Sequence, residues 1–528
     1  MHDAVIIGAG HNGLVCGYFL AKRGLDVVLL EAADTVGGGA VTDEFHPGYR
    51  NSAASYTVSL LQPKIIREMQ LERHGLEIVL RKVDNFLPTR GADYLLAGRD
   101  GLTRAELVRH HRADGPAYDA YEAELRALVA LVRQWMLKAP PRAKREVSNL
   151  TDWLRLGRDL VGMSAGEVET LAAFFTKSAG DILDARFEGK LAKALFGFDG
   201  IVGHFASPYE PGAAYVLLHH LLGEAAGVEG AWGHAIGGMG SITQAMARAV
   251  REAGGDIRLS SAVEEVLVEG DRAVGVVAGG RTLRARTVIS NANPRLLAEH
   301  LLPDGALPKP AATHFRHWAC ESATFRMNVA LERLPNFTSL PGRGKHLTAG
   351  IVMGPSLDHM ARAHASAVLD GWSADPVIEM LVPSTLDPGL APRHGHVASL
   401  FCQHFRYSLP GGRSWDAVRE EAADHVLATV DRYAPGFADS VIARQIHSPA
   451  DLESRFGLIG GDIFHGKMTL DQIFSARPRL GDPAYRMAVD GLYLCGAGAH
   501  PGGGVTGAPG HNAARAVWAD RRKWRKAA

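Results

Sequence analysis

Cysteine is scarce in this chain of 528 residues, with four in all, at Cys16, Cys320, Cys402 and Cys495. No two stand as C-x-x-C or at zinc-ligand spacing, so neither dithiol exchange nor a metal site is expected. Cys16 and Cys495 sit in apolar segments and read as small core residues. Long apolar runs are also missing. The stretch from Gly212 to Leu222 is broken by His219 and His220, and no stretch reaches the roughly 18 residues of a spanning helix. Neither sign of charge dominates: Lys+Arg and Asp+Glu both number 57, for a formal net charge of zero. That argues against nucleic acid as a partner, because phosphate binding needs a basic face. Apolar structure begins at Ala4, so neither a signal peptide nor a transit peptide is expected, and a cytoplasmic setting is.

The N-terminus supplies the strongest positive signal. A short apolar strand from Ala4 to Ile7 enters Gly8, Gly10 and Gly13, spaced G-x-G-x-x-G. A helical pattern follows, then an apolar strand from Val27 to Leu30 that ends on Glu31. The first glycine permits the tight turn, the second lets a pyrophosphate approach the backbone, and the third lets helix and strand pack closely. The helix N-terminus offers N–H groups to phosphate, and the acid is placed for ribose hydroxyls. The whole strand–turn–helix–strand–acid unit predicts a dinucleotide site.

Two further segments read as α/β. In the second, Gly237, Gly238 and Gly240 form a turn, with Ser241 as N-cap of a helix from Ile242 to Glu252. Strand-like runs follow at Asp256 to Leu259, Ala262 to Val268, Ala273 to Val277 and Thr287 to Ser290. The third segment is an apolar strand at Gly491 to Cys495 that enters the glycine loop His500-Pro-Gly-Gly-Gly-Val-Thr-Gly507. A final helix is predicted from about Asn512 to Trp518. Between these segments, residues 75–230 are mostly helical in pattern, with a linker at Ala139-Pro-Pro-Arg142, and residues 300–475 mix strands and helices. The basic tail Arg521 to Lys526 reads as a solvated helix end, with membrane-surface contact as the other reading.

Gly37-Gly38-Gly39 follows Glu31 closely, and the 496–510 loop adds a third glycine-rich approach. Three such approaches suit one long ligand, FAD, better than NAD. No second complete strand–GxGxxG–helix unit exists for a separate nicotinamide domain. These segments, with Pro47-Gly-Tyr-Arg50, Gly460-Gly-Asp-Ile-Phe-His465 and Ala499-His-Pro-Gly-Gly-Gly504, resemble the phytoene-desaturase-related FAD oxidoreductases over nearly the whole chain.

The resemblance implies an α/β fold. A Rossmann-type FAD-binding domain would be assembled from 1–75, 230–300 and 475–528, with an inserted mixed α+β substrate (cap) domain from 76–229 and 301–474. It places Gly8, Gly10, Asn12 and Gly13 at the diphosphate and Glu31 at the ribose. Gly38, Gly39 and Ala40 fall along the path to the flavin, and the Val263 backbone at the adenine. Gly498, Gly504 and Val505 come at the flavin end, with FAD held noncovalently. Related amine oxidases carry Arg after the paired glycines and Gly-Glu in the late loop. This chain has Gly39-Ala40 and Ala497-Gly498, which counts against an amine substrate.

Flavin carries the redox step itself, so no triad or carboxylate pair is required. Three residues are candidates for proton chemistry or contact with the reacting atoms: His500 at the start of the glycine loop, His465 after Ile463-Phe464, and Tyr56. His110-His111 and His219-His220 read as surface or core filler. Apolar runs such as Leu171 to Phe175 and Ala213 to Leu218 suit a pocket for an apolar small molecule. The leading expectation is a desaturase or dehydrogenase that acts on carbon–carbon bonds of a polyene or lipid-like substrate, with oxygen or a quinone as acceptor. A redox-neutral isomerase, an amine oxidase and a flavin-holding regulatory protein are the alternatives. Substrate identity, oligomeric state and peripheral membrane contact are left open.

Overall fold

The computed structural model describes residues 1–141, 147–482 and 484–524. Arg142 of the expected linker and the last residues of the basic tail lie outside the described residues. Five strands from three distant parts of the chain make one parallel sheet. Its order is Asp256–Arg258, Val27–Leu30, Ala4–Ile7, Val288–Ser290 and Leu492–Leu494. A parallel sheet must be covered on both faces. The four residues of Ala4–Ile7 and of Val27–Leu30 are accordingly all buried. The cover includes the helix His11–Ala21, which packs between Gly240–Glu252 and Ala508–Trp524. Gly17 makes that packing close, since a Cβ there would stand 2.9 Å from Leu29 Cδ1.

The expected second segment appears as strands Val263–Glu269, Arg272–Ala278 and Arg281–Arg284 in a small antiparallel sheet. Two boundaries differ from expectation. Ser241 is not an N-cap: the helix starts at Gly240, and the Ser241 hydroxyl donates back to Gly238 O at 2.8 Å. The last helix starts at Ala508, four residues early, because Gly507 at φ 70° ends the loop and frees the chain to coil.

The other half is built on a seven-stranded sheet. Its order is Val441–His447, Thr324–Leu331, His396–Phe405, Trp372–Leu381, Gly350–Met353, Asn85–Pro88 and Tyr94–Ala97. The pairing is antiparallel except between Gly350–Met353 and Asn85–Pro88. The last two strands come from a region whose pattern reads as helical; short apolar runs such as Asn85–Pro88 carry no period of their own. Helices between Leu102 and His220 pack against this sheet, sharing an apolar core with Leu87, Leu95, Val352, Val377 and Phe401 of its strands.

Candidate functional site

The first glycine loop ends the strand Ala4–Ile7 at the centre of the parallel sheet, beside the strand Val288–Ser290. Gly8 has φ 88°, a conformation that a side chain would strain. A Cβ on Gly13 would stand 2.1 Å from Gly8 O, so no larger residue fits there. The helix His11–Ala21 has neither a side-chain cap nor an acid in its first turn. Its N-terminal N–H groups and dipole are thus left to an anion. Asn12 Oδ1 and His11 Nε2 are buried there without a protein partner. Glu31 is pinned against the same loop, accepting from Ala9 N at 2.7 Å and Ala33 N at 3.0 Å.

The second and third glycine clusters converge on the first. Gly37 N donates to Ala9 O at 3.0 Å, and a Cβ on Gly38 would lie 3.5 Å from Gly10 Cα. From the late loop, Gly510 packs on Asn12 O, and Gly504 and the His11 ring line one cavity together. Asn291, directly after Val288–Ser290, sits against Gly8, Gly10, Gly13 and Gly496. Ser261 N donates to Glu31 O at 2.7 Å, which brings the start of the Val263 strand beside the acid. A tight turn, free helix-end donors and unpartnered buried polar atoms fit a dinucleotide.

A cavity of ≈ 170 Å³ opens from these loops. Gly39, Ala40, Ala497, Gly504 and Val505 form one side, and Tyr56, Asp199, Glu379 and Phe401 lie on another. Strand register assembles that second wall. Arg326 pairs with Phe401, and Phe401 with Glu379, in one cross-strand row. Tyr56 lies over the row. Its ring stacks on Phe401 with centroids 5.2 Å apart, and the Arg326 guanidinium covers it at 4.5 Å. Its hydroxyl donates to Glu379 Oε2.

Arg326 is buried and spends its donors on Ala54 O at 3.0 Å, Leu400 O at 2.9 Å and Ser399 Oγ at 2.7 Å. Burial pulls its pKa down to about 10, against the favourable charge of Glu379. Burial raises the Tyr56 phenol well above its usual value, and the Glu379 charge adds to this. Tyr56 is thus a neutral donor across the physiological range.

His465 also lines the cavity, and burial lowers its pKa to about 4. Its backbone sits at φ 58°, and its loop is tied down by Arg477. That buried guanidinium donates to Phe464 O at 2.6 Å and to Ala497 O at 2.9 Å, joining the His465 loop to the late glycine loop.

The structure does not bring His500 into this wall. Its Nε2 bonds Trp135 O at 3.0 Å and its ring packs edge-on to Phe474 at 5.3 Å, beside a separate small cavity. The cis His500–Pro501 bond belongs to the same turn. Gly498 is likewise a packing position, where a Cβ would meet Pro294 Cγ at 2.2 Å. His220, read from sequence as filler, is in the cavity wall. Glu379, Asp199, Arg326 and Arg477 were missed. Arg326 and Asn328 alternate with apolar residues in Thr324–Leu331, all eight of which are buried, and that polar alternation within a core strand was the available signal.

Residues 13–325 match the family described as flavin containing amine oxidoreductase. The chain belongs to that family. It is 39% identical, over 98% of its own length and 94% of the relative's, to pyridine nucleotide-disulfide oxidoreductase domain-containing protein 2 of Rattus norvegicus. A more distant relative is the neurosporene-forming phytoene desaturase of Cereibacter sphaeroides, 25% identical over 96% of this chain and 92% of that one. Among solved structures, wild-type putrescine oxidase bound to putrescine superposes with a TM-score of 0.60, at 17% identity and 99% coverage of both chains, a likeness of fold. This member of the flavin amine oxidoreductase family is an FAD-dependent oxidoreductase, with an α/β cofactor-binding fold and a second domain. Its four cysteines are free, and none lines the cavity. Among the described residues no helix is long and apolar enough to cross a membrane.

Proposed function

We propose that the protein is an FAD-dependent dehydrogenase or desaturase that acts on carbon–carbon bonds of an apolar, polyene or lipid-like substrate. Oxygen or a quinone would take the electrons onward. When bound, FAD supplies a hydride acceptor. Gly8, Gly10, Asn12 and Gly13 would hold its diphosphate and Glu31 its ribose. The Val263 backbone would meet the adenine, and Gly38, Gly39, Ala40, Gly498, Gly504 and Val505 would flank its path, Gly498 through packing alone.

The observation that carries the reading is the cavity that starts at those glycine loops. Leu61, Phe198, Val202, Ile242, Ile463 and Phe464 make most of its wall apolar, so burial of hydrocarbon drives entry. The polar groups keep to limited parts of the wall. Tyr56 is held by Glu379 and Arg326 in one orientation, and His465 is kept uncharged beside the late loop, so neither presents a full charge to the substrate. The distant kinship with a phytoene desaturase points the same way.

The test is anaerobic mixing of the flavin-loaded protein with a hydrocarbon polyene. Bleaching of the flavin band, with a product two hydrogens lighter, is the expected result. A product of unchanged mass supports an isomerase instead. Reduction by an alkylamine with no response to polyene overturns the proposal.

A further inference from the structure

The wall of the cavity around Tyr56 and Glu379 holds a carboxyl that no protein donor answers among the described residues. Arg326 is committed to three acceptors. Arg81, buried behind the wall, donates to Thr57 Oγ1 at 2.8 Å and Asp84 O at 3.1 Å, and faces Glu379 Oε1 at 3.9 Å. Glu379 takes the Tyr56 hydroxyl. Asp199 differs: it lines the cavity, and among the described residues nothing hydrogen-bonds its carboxyl.

Asp199 is also the last residue of the helix Lys190–Asp199, where the carbonyl end of the dipole disfavours negative charge. Burial, and then the Glu379 charge, push its carboxyl up to about 8. At neutral pH it is mostly uncharged and carries an O–H donor. An uncommitted donor on an apolar cavity goes unsatisfied unless the ligand answers it.

We infer that Asp199 donates a hydrogen bond to an uncharged oxygen, a carbonyl or hydroxyl, on an otherwise apolar substrate. The inference rests on reading the cavity as the substrate site. A cationic head fits less well, because Arg81 and Arg326 already outweigh Glu379 once Asp199 is neutral. A carboxylate head fits less well too, because the guanidinium donors are committed and Glu379 repels it.

The test is binding of octane, octan-2-one and octan-1-amine to the full-length, flavin-loaded protein. It is read both as perturbation of the flavin spectrum and as a shift of the thermal midpoint, which needs no turnover. Octan-2-one is expected to bind about ten-fold tighter than octane, the worth of one hydrogen bond. Asp199→Leu should erase that preference while octane binding holds or improves. Asp199→Asn, which keeps an N–H donor, should retain most of it.

The wild-type preference should also fall as pH rises past about 8, and in Asp199→Asn it should not. The groups near Asp199 are Glu379, Arg81, Tyr121 and His220, with Tyr56 in the same cavity wall. Burial holds His220 neutral and both tyrosines protonated through that range. Equal affinity for octane and octan-2-one in the wild type overturns the inference. So does a preference that survives in Asp199→Leu or shows no pH dependence, or tighter binding of octan-1-amine. If none of the three probes binds while flavin is present, the cavity reading fails and the inference falls with it. Should Asp199→Leu not fold, the pH contrast between wild type and Asp199→Asn decides alone.

Discussion

The parallel sheet carries no charged side chain in its two central strands, Ala4–Ile7 and Val27–Leu30, whereas the seven-stranded sheet buries Arg326, Asn328, Glu379 and Gln403. In the first, chemistry is done by backbone: turns, helix-end N–H groups and missing Cβ atoms. In the second it is done by side chains such as Arg326 and Glu379, far apart in sequence, that meet only because their strands pair in register on either side of the Phe401 strand. The half built on the parallel sheet should therefore break under added volume, and the half built on the seven-stranded sheet under removed polarity.

The largest effect is expected at Gly13. A side chain there collides with Gly8 O at 2.1 Å, backbone against which nothing can yield. Gly13→Val should abolish flavin content in the purified protein, read from the ratio of visible to ultraviolet absorbance, and most of the chain should be insoluble. Normal flavin content would mean that the helix and loop do not pack as described.

On the other sheet, Arg326→Leu should cost about 3–5 kcal/mol by urea denaturation, because Ala54 O and Leu400 O lose their donor inside the core. A loss below about 1 kcal/mol would show that the Arg326 network does not hold the wall together.

Acid should strike the two halves together. His11, His465 and His500 are each lowered to about 4 by burial, from about 6.5 when unfolded. Their folded state therefore binds fewer protons. Stability is complete above pH 6.5 and is lost as pH falls towards 4. At pH 5 each contributes about 2 kcal/mol of that loss. Because His11 is buried between the first loop and Gly504, flavin fluorescence should appear in the same window. Retention of bound flavin down to pH 4 would contradict it.

Tyr56→Phe removes one donor from Glu379 and should lower stability by about 2 kcal/mol. It should leave flavin content intact and slow turnover. Unchanged turnover would make Tyr56 a packing residue only.

How much of this was readable in advance follows the same division. The cofactor half was legible because a turn that needs Gly8 and a contact that needs Gly13 impose residue types at fixed short spacing. The three strands that complete its sheet from residues 256–494 were legible as apolar runs between glycine turns. The half built on the seven-stranded sheet was not. Nothing adjacent to Asp199 or Glu379 in sequence marks them, since their meaning lies in what register and helix packing set beside them. Asn85–Pro88 was lost for a related reason, being too short to show a period. Tyr56 and His500 were both named for their place near the glycines, yet Tyr56 lines the cavity and His500 faces a separate small one. Nearness along the chain to a glycine loop says nothing of which way a ring turns.

The smallest expected change in stability is the sharpest probe of the cofactor half. Gly39, unlike Gly13, has room: its φ is not left-handed, and the nearest atom to an added Cβ is Ala54 Cβ at 3.9 Å. Gly39→Ala should thus alter the urea midpoint of the flavin-free protein by less than about 0.5 kcal/mol. Yet Gly39 lines the cavity at the glycine loops, where the added methyl group would intrude on the cofactor's path. Flavin affinity, measured by reconstitution with FAD, should fall while the fold is untouched. A variant that binds FAD normally would move the flavin away from Gly39. A variant that unfolds would show that this glycine, like Gly13 and Gly498, answers to packing.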